Sequence, residues 1–248
     1  MRKGNCSNLL DGSPESFYWL GFLLADGHFS KNTRIKISIG RKDRDHLEKL
    51  ALFLNTSIKD TESKLGDKHY EQCSLSIMHG EVVRHVTDRY KIQPNKTKNP
   101  PNLDSMDDIS IFACSIGFLD GDGSIGFQSG RSDCIVRIKC HSSWSSVLKK
   151  MYPCFSHGIT SDGYARCSLS NSVVIKDIKR RCIELGLPVL NRKWDKVDLE
   201  LVGRTEMSGI RKKDIHYLLE QNCSIVEICK RLNLKYSTVY MIIKRNKL

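Results

Sequence analysis

The stretch that decides the fold is SIGFLDGDG, residues Ser115–Gly123. It predicts the end of an apolar helix that stops at an acid and a glycine. The same design occurs earlier in the chain as WLGFLLADG, residues Trp19–Gly27. Asp26 and Asp122 hold the same place in the two stretches and lie 96 residues apart. The chain therefore carries an internal repeat of roughly 100 residues.

Small residues recur four positions apart in both stretches. The first has Gly21 and Ala25, and the second has Gly117 and Gly121. Residues i and i+4 share one face of a helix, so each predicted helix has a face without bulky side chains. Such faces let helix backbones approach closely, a steric effect best known from membrane helices but not restricted to them. These four residues are therefore the predicted interface between the two helices.

If the helices pack through these faces, Asp26 and Asp122 emerge side by side at one end. A helix C-terminus already disfavours negative charge, and two neighbouring carboxylates repel each other. A divalent cation between them relieves both problems, and Mg²⁺ suits oxygen ligands and retains waters for chemistry. The alternative is that Asp-Gly only ends a core helix, which is less convincing for two copies at one spacing.

Composition restricts the class of protein. Of the 248 residues, 40% are hydrophobic and 27% are charged, as in a soluble globular protein, and the formal net charge is +12. A strongly basic balance favours nucleic acid as a partner, with a generic basic surface as the alternative. No apolar run approaches the ~18 residues of a membrane span, and no targeting segment follows the start. We expect an intracellular protein of the cytoplasm or nucleoid, with an organelle-encoded origin left open. None of the ten cysteines lies in a C-x-x-C pair, so a zinc ribbon is not indicated. Several lie in apolar-periodic stretches as expected of core thiols, which fits a reducing compartment.

Apolar periodicity predicts the same order of elements in both halves, helix-strand-strand-helix-strand-strand-helix, after a polar and frayed segment at residues 1–13. In the first half the helices are predicted at 14–26, 43–54 and 80–90, and the strands at 33–39, 58–64 and 70–78. In the second half the helices are predicted at 106–122, 144–151 and 173–185, and the strands at 124–127, 135–140 and 164–170. The fold class is therefore α+β, with an N-terminal half at 1–101 and a C-terminal half at 102–203.

Two further matches support a true duplication. YEQCSLS at residues 70–76 resembles YARCSLS at residues 164–170, at a spacing of 94. Asn95-Lys96 matches Asn191-Arg192 at a spacing of 96. Anchor points spread over each half make a chance repeat improbable.

These residues resemble the signature of the LAGLIDADG homing endonucleases. Ser115–Gly123 keeps the acidic pair Asp120 and Asp122, whereas the first copy has Leu24 at the earlier acid. The later acid, the metal ligand of the family, is present in both copies. Trp19 and Ser115 are atypical at the first motif position. The resemblance covers roughly residues 14–196 and implies two pseudo-symmetric αββαββα halves with saddle-shaped antiparallel sheets.

The resemblance also implies a chemistry. Asp26 and Asp122 would hold Mg²⁺, helped by the carbonyls of Ala25 and Gly121, with two or three ions in total. Mn²⁺ would substitute, and Ca²⁺ would support binding only. A single chain would cut both strands of a long asymmetric duplex across the minor groove and leave 3′ overhangs.

The family places basic residues near the metal site, so catalytic roles are expected for Lys96 and for Lys193 or Arg192. Arg192 matches Lys96 by spacing and Lys193 matches it by chemistry, and a simple basic linker is the alternative for all three.

The predicted strands carry candidate DNA contacts. Arg34 and Lys36 alternate with apolar residues in the first half, and Arg137 and Lys139 do so in the second. Arginine and lysine pair with guanine edges in the major groove. A solvated strand face or a phosphate contact is an equally good interpretation of each residue.

Residues 204–248 form a third, more basic part, with ten Lys or Arg against four Asp or Glu. Three short helices are predicted there, and the second begins with a capping box at Ser224 and Glu227. The pattern resembles the helix-turn-helix of resolvase-like and sigma-like domains. We expect Ser237, Thr238, Tyr240 and Lys244 to contact DNA, and a plain helical docking module is the alternative.

Three functions fit these observations. The first is a monomeric Mg²⁺-dependent DNA endonuclease that acts on duplex DNA and on no small molecule. The second is a DNA-binding regulator that kept the fold and lost cleavage, against which the intact Asp26 and Asp122 argue. The third is an RNA maturase that assists intron splicing. The predicted helix-turn-helix favours duplex DNA over RNA, because side chains cannot enter the major groove of A-form RNA.

Overall fold

The computed structural model of the protein describes residues 6–30, 33–65, 68–127, 134–200, 204–232 and 234–246. Within these ranges, the side chains of residues 63–65, 68 and 204–211 are not described. The predicted domain boundary at residue 203 lies outside the described residues.

The first half contains three helices and one sheet. The helices are α1 (Pro14–Asp26), α2 (Arg44–Phe53) and α3 (Gly80–Arg89), and the strands are β1 (Gly27–Ser30), β2 (Arg34–Gly40), β3 (Lys59–Leu65) and β4 (Lys68–Ile77). Ser13 caps α1 and Pro14 opens it, as the sequence predicts. The four strands are antiparallel in the order β1-β2-β4-β3.

The second half repeats this arrangement. Its helices are α4 (Asp108–Asp122), α5 (Ser145–Met151), α6 (Ser172–Glu184) and the short α7 (Asn191–Trp194), and its strands are β5 (Gly123–Phe127), β6 (Cys134–His141), β7 (Ser156–Ile159) and β8 (Tyr164–Leu169). The strand order is β5-β6-β8-β7, the counterpart of the first sheet. The predicted α+β architecture of two αββαββα halves is confirmed.

The buried faces of both sheets and the helices above them form one apolar core. On β2, Ile35 and Ile37 are buried while Arg34 and Lys36 are exposed, as strict alternation requires. The core runs through both halves because α1 and α4, which lie at its centre, are apolar on nearly all sides. Within the described residues, no helix has the length and apolar character needed to cross a bilayer.

The expectation of a frayed N-terminus is wrong from Cys6 onward. Cys6–Leu10 form a 3-10 helix, in which Cys6 and Leu9 are buried in the core. Asn8 Nδ2 donates to the carbonyl of Phe53 at 2.6 Å. A few apolar side chains among polar neighbours are enough to order this segment, because it packs against helices α1 and α3.

Three helices follow the second half: α8 (Arg204–Glu220), α9 (Ile225–Arg231) and α10 (Tyr236–Asn246). The predicted capping box at Ser224 and Glu227 is present. The three helices enclose a small core of their own, formed by Ile215, Leu218, Ile228 and Val239. We call residues 204–248 the tail.

Candidate active site

Helices α1 and α4 cross in direct backbone contact. A Cβ atom on Gly21 would overlap the carbonyl oxygen of Cys114, and one on Gly117 would overlap that of Tyr18. Gly121 lies against the methyl group of Ala25. The four small residues selected from the sequence therefore lie at the crossing, and any larger side chain at the glycines would push the helices apart.

This crossing brings Asp26 and Asp122 together. They are the last residues of α1 and α4. A Cβ on Gly121 would lie 3.3 Å from Oδ2 of Asp26, so the Asp26 carboxylate reaches over the partner helix. Both residues are exposed, and within the described residues neither carboxylate has a hydrogen bond or an ion pair.

Burial and the charge of Asp122 both disfavour the ionised form of Asp26. Although each side chain reaches solvent, protein packs on its inner side, and this burial raises the pKa of Asp26 to about 6, with the charge of Asp122 as the second cause. Burial also raises the pKa of Asp122, against the opposing charges of Lys96 and Lys193. A site of this kind gains free energy by binding a cation.

Two lysines cover the ends of the same helices. Lys96 Nζ donates to the carbonyls of Leu24 and Ala25 at 2.6 and 2.7 Å. Lys193, which is buried, donates to those of Leu119 and Asp120 at 3.0 and 2.5 Å, and to those of Gly121 and Gly123 at 3.3 and 2.7 Å. The carbonyls of Leu24, Ala25, Asp120 and Gly121 lie in the last turns, where helix carbonyls lack intrahelical partners, whereas that of Leu119 also accepts from the Gly123 amide. Each ammonium also offsets the negative end of its helix dipole. Lys193, rather than Arg192, is therefore the geometric counterpart of Lys96.

Arg192 lies elsewhere. Its guanidinium pairs with both carboxylate oxygens of Asp43, the residue that precedes α2 in the first half. Within the described residues it has no hydrogen bond or ion pair to either motif helix. The spacing of 96 matched Lys96 to Arg192, but the residue in the equivalent position is Lys193, one residue later.

Asp120, the other acid of the second motif, is part of a buried network. It accepts hydrogen bonds from Tyr18 Oη at 2.7 Å, from the Leu190 amide at 2.9 Å and from Trp194 Nε1 at 2.9 Å. Burial raises the pKa of Asp120 to about 6, and the three donors oppose that rise. Tyr18 belongs to the first half, so this carboxylate ties the halves together.

His46 extends the network. Since the Tyr18 hydroxyl hydrogen is directed at Asp120, His46 Nε2 donates to Tyr18 Oη at 3.0 Å. Burial lowers the pKa of His46 to about 3, so the ring is neutral at physiological pH. Its Nδ1 is buried without a partner among the described residues.

The four candidate DNA contacts on the strands are exposed. Arg34, Lys36 and Arg137 lie on the outer faces of β2 and β6. Lys139 is also exposed, but it forms an ion pair with Asp162 at 2.5 Å and lies over the ring of Tyr164. This pairing makes Lys139 a less available contact than the sequence alone indicates.

Arg166, which the sequence analysis did not select, is exposed beside Lys139 in the register of β6 and β8. The sequence signal for Arg166 is the alternation of small or apolar and polar residues in YARCSLS, which places Ala165 and Cys167 on the buried face and Arg166 between them on the exposed face.

On α10 the four selected residues lie away from the small core of the tail. Ser237, Tyr240 and Lys244 are exposed and Thr238 is half-buried, whereas Val239 is fully buried. Tyr240 stacks on Tyr236 with ring centroids 6.3 Å apart. The exposed face of α10 is therefore partly aromatic and partly basic.

No family model and no curated protein matches the sequence. Solved structures do match. I-SmaMI bound to an uncleaved DNA target with calcium ions is 14% identical, with a TM-score of 0.42, and the match covers 85% of this chain and 92% of that chain. The I-SmaMI LAGLIDADG homing endonuclease bound to cleaved DNA is 13% identical, with a TM-score of 0.45 and coverage of 84% and 91%. The LAGLIDADG homing endonuclease I-GzeII in complex with its DNA target is 13% identical, with a TM-score of 0.43 and coverage of 88% and 96%. The chain is thus similar, over most of its length, to solved LAGLIDADG homing endonucleases.

Proposed function

We propose that the chain is a metal-dependent, site-specific DNA endonuclease that hydrolyses one phosphodiester bond in each strand of a long asymmetric target. The observation that carries the proposal is the pairing of Asp26 and Asp122. Two solvent-facing carboxylates converge at adjacent helix ends without a hydrogen bond or ion pair in the described part of the chain. This arrangement costs stability in the metal-free protein, so it is explained by a ligand rather than by packing.

The oxygen donors suit a hard divalent cation. No group of three His, Cys, Asp or Glu side chains converges within the described residues. Asp26 and Asp122 would each hold an ion, with the carbonyls of Ala25 and Gly121 as further donors, and positions would remain for water and DNA. Both carbonyls accept from a lysine, but a carbonyl oxygen has a second lone pair.

Mg²⁺ fits such a sparse oxygen site, and we expect two or three ions, with Mn²⁺ as a substitute and Ca²⁺ supporting binding only. The metal supplies Lewis-acid stabilisation of the phosphate and a more acidic water.

Two lysines would stabilise charge at the reacting phosphate. Lys96 and Lys193 fix the ends of α1 and α4 and place positive charge beside the two aspartates. That charge would offset the negative charge that develops on a reacting phosphate. Because each half contributes one aspartate and one lysine, a monomer can cut both strands. The LAGLIDADG resemblance adds 3′ overhangs and cleavage across a minor groove.

Duplex DNA is the proposed partner. The net charge of +12 attracts a polyanion, and Arg34, Lys36 and Arg137 present cations on the outer faces of the two sheets. We divide the chain into halves at 1–101 and 102–203 and a helix-turn-helix tail at 204–248 that extends the target. The ten cysteines, all within the described residues, form no disulfide, which supports the proposal of a reducing, intracellular site of action.

Selection from a randomised duplex library in Mg²⁺ tests the proposal. We expect cleaved products to converge on one long asymmetric sequence, cut in both strands with 3′ overhangs. Enrichment of bound but uncut duplexes would instead support a DNA-binding regulator. Failure to enrich any duplex, bound or cut, would contradict the proposal.

A further inference from the structure

An ion pair joins the two halves beside the candidate site. Arg192, in α7, donates from Nε to Oδ1 of Asp43 and from Nη2 to Oδ2, the second bond at 2.7 Å. The Asp43 side chain is 12% exposed and the Arg192 side chain 43% exposed. Two parallel bonds fix the plane of a guanidinium as well as its position. Asp43 therefore acts as a largely buried anchor that holds an exposed arginine in one orientation.

The anchored arginine lies within reach of the charge of Asp26, which adds to the rise in the pKa of Arg192 that the Asp43 hydrogen bond causes first. It directly precedes Lys193, whose Nζ contacts the carbonyls of Gly121 and Gly123 on either side of Asp122. On the other side, the pKa of Asp26 is raised first by burial and by Asp122, and the nearby charge of Asp43 adds to that rise. The ion pair thus borders the end of α1 as well as that of α4.

One edge of the guanidinium is free. Asp43 binds Nε and Nη2, and Nη1 of Arg192 has no hydrogen-bond partner among the described residues. An arginine that is fixed by a carboxylate on one edge and open on the other is suited to phosphate oxygens, which match its planar donors. The geometry gives Arg192 a role different from that of Lys193, whose donors are directed at helix carbonyls.

The equivalent position in the other half is built differently. Trp144 precedes α5 as Asp43 precedes α2, and its Nε1 donates to the carbonyls of Lys96 and Thr97 at 3.0 and 3.1 Å. Asn95 precedes Lys96 where Arg192 precedes Lys193. At this position one half thus has a neutral N–H that donates to carbonyls, whereas the other has an ion pair whose arginine keeps a free cationic edge. The pseudo-symmetry of the site is broken at this contact.

We propose that Asp43 is a positioning residue, which holds Arg192 as a phosphate contact at one of the two cleavage positions, so that the two strands are cut at different rates. The inference rests on the proposed endonuclease function and deepens it. Asp43 touches no reacting atom in this scheme and acts only through Arg192.

The test is single-turnover cleavage of a selected target whose strands carry different dyes. Asp43→Asn and Arg192→Lys should each slow one strand about tenfold, the effect of losing one charge-assisted hydrogen bond, and leave the other strand unchanged. Nicked duplex should therefore accumulate. The double variant should be no slower than Arg192→Lys, because Asp43 has no effect once the guanidinium is gone.

Lys49→Met is the matched control. Lys49 Nζ joins the same two segments through the carbonyl of Val189 at 3.0 Å and Asn191 Oδ1 at 3.2 Å, without contacting Arg192. Both strand rates should be unchanged in this variant. Thermal melting and DNA binding in Ca²⁺ check that each variant folds and binds.

Equal slowing of both strands by Asp43→Asn, additive effects in the double variant, or a strand bias in Lys49→Met would overturn the inference. A wild-type chain that cuts no target would overturn the proposed function, and the inference with it. Wild-type cutting combined with any of the first three results overturns the inference alone.

Discussion

At the scale of single residues, the three motif aspartates Asp26, Asp120 and Asp122 differ in burial and in hydrogen bonding, although all three lie in similar sequence motifs. Asp120 and Asp122 are two positions apart in one motif, yet Asp120 accepts from three donors, whereas Asp122 is exposed and has no partner in the described part of the chain. The repeat identified Asp26 and Asp122 as equivalent, because the first motif has Leu24 where the second has Asp120. The partners of Asp120 lie 70 or more residues away along the chain and could not be predicted from spacing.

Asp26→Asn should stabilise the metal-free protein at neutral pH. The folded-state pKa of Asp26 is raised from 3.8 to about 6, so the folded state holds the proton more tightly than the unfolded state does. The free energy of unfolding therefore falls as pH rises from about 4 to about 6 and stays lower above that range. Asn cannot ionise and avoids this loss. We expect a gain of at most about 1 kcal/mol, since solvent screens an exposed carboxylate, or a Tm about 2–4 °C higher at pH 7.5.

Thermal melting with EDTA at pH 7.5 and at pH 4 measures this effect, and the two proteins should melt together at pH 4. Added Mg²⁺ should raise the Tm of the wild type more than that of the variant, because a ligand stabilises the state that binds it. A variant that melts below the wild type at pH 7.5 would contradict the pKa assignment.

Asp120→Asn should be destabilising. Whichever way the amide is turned, its NH₂ group faces a buried donor, either Trp194 Nε1 or the amide of Leu190. A buried donor left without an acceptor costs about 1–3 kcal/mol. Urea denaturation should therefore show a lower midpoint, and a midpoint equal to that of the wild type would show that the network is not needed for stability.

At the scale of elements, the crossing of α1 and α4 positions everything else in the site. Gly117→Ala should destabilise the protein by about 1–3 kcal/mol or more, because the new methyl group would overlap the carbonyl of Tyr18 across the crossing. Gly80→Ala in α3 is the control, since a Cβ there meets no atom within 4 Å. That substitution should be neutral or slightly stabilising. Similar unfolding free energies for the two variants would mean that the helices are not in backbone contact.

The elements that the sequence predicts are those with a clear period. β2 alternates strictly and α1 has a cap, a proline and a continuous apolar face, so both were located to within a residue or two. The predicted element order contains four strands in each half, but the apolar pattern locates only three. The missing strands are β1 in the first half and β7 in the second. Each is only four residues long, too short for a period to emerge. The position of each depends on pairing with β8 or β2 instead.

At the scale of the whole molecule, the chain consists of a duplicated unit and one additional basic tail. The duplication explains why the site has two aspartates and two lysines, and the single tail breaks the symmetry. We therefore expect the pseudo-symmetric halves together with the single tail to bind an asymmetric DNA target. Contacts between the halves, such as the hydrogen bond from Tyr18 Oη to Asp120, hold the two units in one arrangement.

Removal of the tail after residue 203 should weaken DNA binding and shorten the protected footprint at one end only. The two halves should cover about two turns of duplex, and α10 should add part of another. Nuclease footprinting of the full and truncated chains in Ca²⁺ measures the difference. Slow cleavage at high protein concentration should persist, because the candidate catalytic residues all precede the tail. A footprint of unchanged length would show that the tail packs on the protein and does not bind DNA.

The central claim is that Asp26 and Asp122 hold the metal ions that cleavage requires. The most direct test compares Asp26→Asn and Asp122→Asn with the wild type on a selected target, with cleavage followed in Mg²⁺ and binding in Ca²⁺. Each variant should lose double-strand cleavage and still bind the target, because only the metal ligand changes and the DNA-contacting faces remain. Cleavage of both strands at the wild-type rate by either variant would show that the two aspartates do not hold the required metal ions.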